Sequence, residues 1–173
     1  VMQFAMLPLQ GVGQGAQPII SYNYGAKNAK RVREAFWLLL KVSLSYAVIL
    51  WLCVMIFPQG FAAMFTTDTE LLQFTKTALR IYMACMMLFG IQIACQMTFT
   101  SLGKAGASII VAIMRKFVLL LPLIYLMPHI VTKNRTMAVY LAEPVADFFA
   151  VTFTMILFRF QFRKAMNQIE QKR

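Results

Sequence analysis

Five long apolar runs limit what this chain can fold into, because each is about as long as a helix that crosses a bilayer. Roughly 20 residues, rising about 1.5 Å each, span the hydrocarbon. Strands are a poorer interpretation, since barrel strands are short and alternate apolar with polar residues. The sequence predicts an all-α membrane protein with helices at about 1–22, 35–57, 77–100, 106–127 and 137–158, and a tail at 159–173.

The composition excludes two other classes of protein. Of the 173 residues, 60% are hydrophobic and only 13% are charged, whereas a disordered chain is poor in apolar residues. A soluble globule would have no surface on which to place so much apolar side chain. The chain also begins inside an apolar run and has no charged leader, so we expect it to be part of a longer protein.

The basic residues divide unevenly between the two sides of such a membrane protein. If the helices alternate in direction, the connection at 23–34, the short connection at 101–105 and the tail lie on the same side of the membrane. Each basic residue within an apolar run is counted with the nearer end of its helix. Thirteen of the 17 Lys and Arg then fall on that side. Cytoplasmic loops carry such an excess, so we predict a multi-pass protein of the cell membrane with a cytoplasmic C-terminus. Nucleic acid is not a predicted partner. The predicted cytoplasmic anchors are Lys27, Arg31, Arg33 and Arg115.

The first run contains residues that weaken a helix. Glycine costs about 1 kcal/mol in a helix interior and proline more, and a break in a membrane survives only where it lines a cavity or is buried in protein. Two interpretations stay open: a broken helix that lines a cavity, or close helix packing through the GxxxG spacing of Gly11 and Gly15. The cavity interpretation would use Gln10, Gln14, Gln17 and Pro18.

The fifth run carries the only acidic residues within the apolar spans. Glu143 and Asp147 are four residues apart, so they share one helix face, and Pro144 between them leaves the carbonyl of Tyr140 without its usual partner. Carboxylates inside a bundle are usually paired or used for ions, which makes a proton or sodium relay one interpretation. The alternative is that both face external water, or pair with a basic residue such as Arg80.

Other polar or helix-bending residues lie in the third and fourth runs. Gln92 and Gln96 are also four residues apart and predict a polar stripe that faces other helices. Arg115 is interpreted either as an interfacial anchor or as a partner in helix–helix pairing. Pro122 predicts a kink.

Motifs of enzymes are missing from the sequence. There is no metal-spaced pair of histidines, no G-x-S-x-G and no phosphate-binding loop with its lysine. Neither catalysis nor a cofactor is therefore predicted.

The stretch GQGAQPIISYNYGAKNAKRVR at 13–33 resembles the signature of the multidrug and toxic compound extrusion (MATE) family. In that family a G-x-Q-P helix precedes a cytoplasmic loop whose pattern is matched here by Gly25, Ala26, Asn28, Arg31 and Arg33. The segment MFTTD at 64–68, the segment SLGKAGASIIVAIMRKFVLLLPLIYLMP at 101–128 and AEPVAD at 142–147 are similar to later family segments, in the same order.

The resemblance implies a fold and an activity. Family members have twelve helices in two six-helix lobes and expel cationic amphiphiles in exchange for sodium ions or protons. The chain would form helices eight to twelve, most of the C-terminal lobe. Its partners would be the N-terminal lobe, the bilayer and a small cationic substrate. Some members carry a carboxylate on the tenth helix, but the run at 77–100 has none. Ion coupling would then depend on Glu143 and Asp147, or on residues of the other lobe.

Two further functions stay open from the sequence. A flippase for lipid-linked sugars belongs to the same superfamily, but its cavity should be rich in basic residues. The alternative from a different functional class is a non-transporting scaffold or channel subunit of five helices.

Overall fold

A computed structural model describes residues 2–63, 69–130 and 135–171, and within these ranges the chain is helical, without strands. The all-α prediction is therefore confirmed for the described residues. A 3₁₀ turn at Met86–Leu88 leads into α5, and a π-helical stretch at Met114–Leu120 joins α6 to α7. The α-helices are α1 Met2–Gly25, α2 Ala29–Ile56, α3 Pro58–Ala63, α4 Thr69–Tyr82, α5 Phe89–Ser101, α6 Ala105–Ile113, α7 Leu121–Ile130 and α8 Arg135–Gln171. The MFTTD segment lies outside the described residues.

The connection between α1 and α2 is short because its residues cap both helices. Lys27 adopts a left-handed conformation with φ 55°, which terminates α1. The side chain of Asn28 accepts a hydrogen bond from the backbone N–H of Arg31 at 3.2 Å and so caps the start of α2. The asparagine of the sequence motif therefore has a local structural role.

The expected break in the first run is absent, since α1 is one continuous helix that contains Pro8 and Pro18. Its buried residues, Leu9, Gly13 and Ile20, lie against the rest of the bundle, and this packing outweighs weak intrinsic propensity. Within the described residues a Cβ on Gly11 or Gly15 would meet no atom within 4 Å, so the GxxxG spacing makes no helix contact inside this bundle and stays a prediction for a partner outside it. The close contact is at Gly13, where a Cβ would lie 2.7 Å from Met97 Cγ.

The third run, expected to be one helix over 77–100, is instead broken between α4 and α5 and bent by 41°. Side chains of α2 compensate for the backbone bonds lost there. Trp51 Nε1 donates to the carbonyl of Ala84 at 3.0 Å, which lies inside the break. Residues 77–100 are almost uniformly apolar, so run length alone carries no sign of this break.

The fourth and fifth runs accommodate their prolines differently. Just before Pro122 the helix widens into the π-helical stretch, where the N–H of Leu121 donates to the carbonyl of Lys116. Such bulges accompany kinks in α-helices. Pro144 lies inside α8, which continues without interruption through the predicted tail to Gln171. The tail is helical because Ala165, Met166 and Ile169 are buried in the core.

Three basic segments meet at one end of the bundle, here called the basic end. Arg33 Nη2 lies 2.8 Å from Glu170 Oε1, and Lys104 Nζ donates to Gln161 Oε1 at 2.7 Å. The α1–α2 connection, the α5–α6 connection and the end of α8 are thus neighbours, as the alternation of charge predicted. Burial, aided by the positive charge of Lys164, lowers the pKa of Lys104 from its usual value.

Three stretches of the described chain are long and apolar enough to cross a membrane: Ala29–Ile56, Ala105–His129 and Val139–Gln171. The bent pair Leu71–Tyr82 and Met86–Ser101 would supply a fourth if it crosses as one span. Although α1 has 24 residues, it is not in this set, since glutamines and glycines interrupt its apolar residues. The predicted span at 1–22 is therefore a helix, but its mixture of apolar and polar residues keeps it out of this set.

Gly90 is where α5 approaches the backbone of α2. A Cβ there would lie 2.6 Å from the carbonyl oxygen of Ser43 and 2.8 Å from Leu44 Cα. Because both contacts are backbone atoms, the helices would have to separate. We expect Gly90→Ala to destabilise the protein by about 1–3 kcal/mol, the usual range for overpacking, measured as a lower midpoint of thermal unfolding in detergent.

Gly106→Ala, in α6, is the matched control for this substitution. The same methyl group enters open space at Gly106, and alanine is the better helix former. The midpoint should therefore stay unchanged or rise. Equal midpoints for the two variants would contradict close packing at Gly90.

Candidate functional site

A three-residue charge cluster lies inside the bundle, between the π-helical stretch and α8. Arg115 Nε donates to Asp147 Oδ1 at 2.7 Å, and Arg115 Nη2 lies 3.4 Å from Glu143 Oε1. Asp147 is only 2% exposed. The Arg115 guanidinium carbon also lies 4.6 Å from the centroid of the Phe89 ring, within cation–π distance. The cluster therefore joins three separate parts of the chain.

Local helical geometry places each member of the cluster. Glu143 and Asp147 lie on one face of α8 because they are four residues apart. Arg115 follows the start of α6 by ten residues, so it lies about 15 Å along that helix from the basic end. It stands in the first turn of the π-helical stretch, and π-bulges are frequent at functional sites.

The structure decides between the alternatives for these charged residues. Of the two interpretations of Arg115, the structure supports helix–helix pairing, because Arg115 bonds carboxylates of another helix and does not anchor a helix end. Asp147 is buried and paired rather than solvated. Arg80 is not its partner, because Arg80 Nη2 donates to the carbonyl of Met55 at 3.1 Å.

The cluster contains two carboxylates and one guanidinium, and this imbalance has a chemical consequence. When both carboxylates are ionised, one negative charge remains in surroundings where charge is costly. A proton on a carboxylate, or a small cation coordinated by its oxygens, would neutralise the cluster. Carboxylate oxygens are hard ligands that suit both.

A cavity of about 470 Å³ opens beside the cluster, between α1, the α4–α5 segment and the π-helical stretch. Its wall combines amides, aromatic rings and two cations, and no carboxylate of the described residues lines it. The lining residues are Met6, Leu7, Gln10, Tyr82, Phe89, Gln92, Ile93, Gln96, Arg115 and Lys116.

Gln92 is the most informative residue of this wall. It is only 5% exposed, and its Oε1 has no hydrogen-bond partner among the described residues. A buried acceptor without a donor costs about 1–3 kcal/mol. Because this oxygen is itself buried, the Gln92 amide would have to turn toward the cavity to accept a hydrogen bond from a molecule or water there.

The structure brings together some of the predicted pathway residues and separates others. Gln92 and Gln96 line the cavity, and Glu143 and Asp147 lie behind Arg115. Gln14 and Pro18 are instead exposed on α1 and Gln17 is half-buried, and none of the three lines the cavity. At the basic end, Lys27, Arg31 and Arg33 are exposed, as expected of anchors.

Sequence reasoning missed the central position of Arg115 and, in the aromatic part of the wall, the ring of Phe89. One signal for Arg115 was available: it stands ten residues into an apolar run, where a cation needs a partner. No feature of the sequence distinguished Phe89 from the other phenylalanines, because phenylalanine is abundant throughout this chain.

The pairing in the cluster predicts a charge-rescue result. Arg115→Met leaves Asp147 buried without its partner, and breaking a buried pair in this way costs about 3–5 kcal/mol. We expect a large fall in the thermal unfolding midpoint of the purified full-length protein, most of which the double variant Arg115→Met/Asp147→Asn should restore. Arg163→Met, at an exposed arginine of α8, should change little. A double variant as unstable as the sum of its single variants would contradict the pairing.

Comparisons with known proteins agree with this architecture. The MatE family model matches residues 1–126. A curated FAD transporter of Shewanella oneidensis is 24% identical over 118 residues, which cover 68% of this chain and 26% of that protein. A solved inward-facing structure of a multidrug resistance MATE family transporter of the MOP superfamily superposes with a TM-score of 0.86 at 17% identity, covering 95% of this chain and 38% of its own.

A second solved structure, described as protein A, is 33% identical, with a TM-score of 0.85 over 95% of this chain and 36% of that one. The chain thus spans between about a quarter and two-fifths of the lengths of these relatives, consistent with a fragment of a two-lobe transporter. Since the family model covers well over half of the chain, the chain belongs to the MatE family, whose members are multi-pass membrane transporters rather than enzymes.

Proposed function

We propose that the full-length protein is a secondary active transporter that expels small amphiphilic organic cations in exchange for sodium ions or protons, by alternating access. This chain would supply helices eight to twelve, and a substrate would lie between this lobe and the N-terminal lobe. The observation that carries the proposal is the cavity beside the charge cluster, whose wall combines glutamine amides with the rings of Tyr82 and Phe89.

The cavity wall has chemistry that suits lipophilic cations. The rings of Tyr82 and Phe89 offer π faces, which attract cations more strongly when water is excluded. The side-chain oxygen of Gln96 can accept a hydrogen bond from a protonated amine, and that of Gln92 would do so if its amide turned toward the cavity. Carboxylates for a cation's charge would come from the N-terminal lobe, since Asp147 and Glu143 lie with Arg115.

The charge cluster would supply ion coupling within this lobe. Its excess negative charge would attract a proton or a sodium ion. Neutralisation of the cluster would weaken the attachment of α8 to the π-helical stretch. A ligand shifts a conformational equilibrium only by its difference in affinity for the two states. The neutralised and charged clusters would differ in that way.

The exposed face of α1 supports a missing partner lobe. Gln10, Gly11, Gln14, Gly15 and Pro18 are all exposed, yet glutamine is poorly suited to contact with lipid tails. We infer that this face meets the N-terminal lobe or water between the lobes. The basic end would lie in the cytoplasm, with the C-terminus of the chain.

A second candidate substrate is an anionic aromatic compound that carries phosphate, such as FAD. The specific observation in its favour is that Arg115 and Lys116 line the cavity while no described carboxylate does. Lys116 would contribute a positive charge to the site, and a relative of this chain is an FAD transporter.

Reconstitution of the full-length protein into liposomes tests the antiport. An imposed sodium or proton gradient should drive accumulation of a cationic dye, and Glu143→Gln should reduce that accumulation about tenfold or more, equivalent to about 1.4 kcal/mol. Glu143 is chosen because its removal leaves Asp147 paired with Arg115. Glu34→Gln, at an exposed carboxylate of α2, is the control. A wild-type protein that moves no dye under either gradient would refute the multidrug proposal, and a fully active Glu143→Gln would place coupling elsewhere.

Binding measurements with Lys116→Gln distinguish the two substrate classes. For an anionic substrate, removing this cation should weaken FAD binding several-fold, whereas for a cationic substrate it should leave dye binding equal or tighter. Lys164→Gln, an exposed lysine near the basic end, controls for overall charge. Binding of FAD that is insensitive to Lys116→Gln would count against an anion site in this cavity.

A further inference from the structure

A groove of about 570 Å³ at the basic end lies outside the cavity described above. The first turns of α2 form most of its wall, and Glu170 of α8 closes one side. The side chains that define its chemistry are Lys30, Arg33, Trp37, Leu38 and Lys41 of α2, with Lys27 from the connection before it.

The charge of this groove favours an anion. Four basic side chains line it against two carboxylates, Glu34 and Glu170. Glu170 already lies 2.8 Å from Arg33 Nη2, so it neutralises only that arginine. Lys30 and Lys41 stand on the same face of α2, eleven residues and so about 16 Å apart along its axis, and Glu34 lies on that face between them. With four basic side chains against two carboxylates, the groove keeps an excess of positive charge.

The length of α2 places the groove at the membrane boundary. A helix of 28 residues is about 42 Å long, whereas the hydrocarbon is about 30 Å thick. The first two turns of α2 therefore project beyond the hydrocarbon. Trp37, which is 56% exposed, follows at the level where tryptophan is enriched, and Lys41 one turn deeper can extend its amine back toward the headgroups.

The exposed surface of α2 changes character beyond this level. Away from the basic end, its large exposed side chains are Leu38, Val42, Ile49, Leu52 and Ile56. They form an apolar strip that suits lipid tails, and it runs directly away from the basic groove. A molecule with a phosphate and two long hydrocarbon chains matches both parts of this surface at once.

We propose that this groove binds an anionic phospholipid of the leaflet at the basic end, with its phosphate at Lys41 beside Trp37, its acyl chains along the apolar strip of α2, and Lys30 adding to the positive charge of the groove. Basic pockets at the ends of membrane helices are suited to such headgroups. The bound lipid would hold the end of α2 against α8 near the Arg33–Glu170 pair. This site is separate from the transport cavity and does not depend on which substrate is moved.

Native mass spectrometry of the full-length protein, purified in detergent and titrated with phosphatidylglycerol or phosphatidylcholine, tests this proposal. We expect one phosphatidylglycerol to be retained preferentially, and Lys30→Gln/Lys41→Gln to lower its occupancy at least threefold. The matched control is Arg159→Gln/Arg163→Gln, which removes the same charge from exposed positions of α8 outside the groove. The control should retain the lipid as the wild type does.

Several outcomes would overturn the proposal. Equal loss of lipid in both double variants would indicate general charge attraction, and no loss in either would exclude the groove. Displacement of the lipid by millimolar inorganic phosphate would indicate a phosphate site without a role for the acyl chains. The single variant Lys41→Gln, with its thermal unfolding midpoint, guards against loss of lipid through misfolding. Absence of any retained lipid in the wild type would indicate that another part of the protein covers this surface.

Discussion

The bond between Arg115 and Asp147 joins parts of the bundle that the chain itself keeps apart. A guanidinium and a carboxylate in this position are costly to bury and become tolerable only when they meet each other. Their contact fixes the π-helical stretch against α8, and the same arginine lies over the ring of Phe89 at the start of α5. One wall of the polar cavity is therefore held by an ion pair, and Glu143 beside it leaves the cluster with a charge that an ion can neutralise.

Close backbone contacts and side-chain bonds stabilise the irregular part of the bundle. Gly90 lets α5 approach α2 to a distance that no side chain would allow. At the preceding break, Trp51 supplies the hydrogen bond that the helix no longer makes. In hydrocarbon an unsatisfied backbone group is expensive, so a bend survives where neighbouring helices satisfy it. The bend in turn lets Tyr82 and Phe89, which flank it, both face the cavity.

The two exposed faces of the bundle differ in chemistry, and the difference indicates what each contacts. The outer face of α2 is apolar below its basic first turns, as expected of a surface in contact with lipid. The outer face of α1 carries glutamine, glycine and proline together with exposed Leu7 and Tyr22, a mixture that suits contact with another part of a protein. The described part of the chain thus has one surface suited to lipid and another suited to protein, as the proposed two-lobe transporter requires.

The sequence by itself determined the helical class, the family and the clustering of basic segments at one end. These properties depend on local sums, such as the length of an apolar run or the number of lysines in a connection, and on contiguous motifs. Only the tertiary structure decided that Arg115 meets Asp147, that Gly13 and Gly90 are the glycines packed closely inside this bundle, and that residues 77–100 are bent. Arg115 and Asp147 are 32 residues apart, and the bend depends on Trp51 of another helix. Such contacts depend on how helices are placed against each other, which no single run specifies.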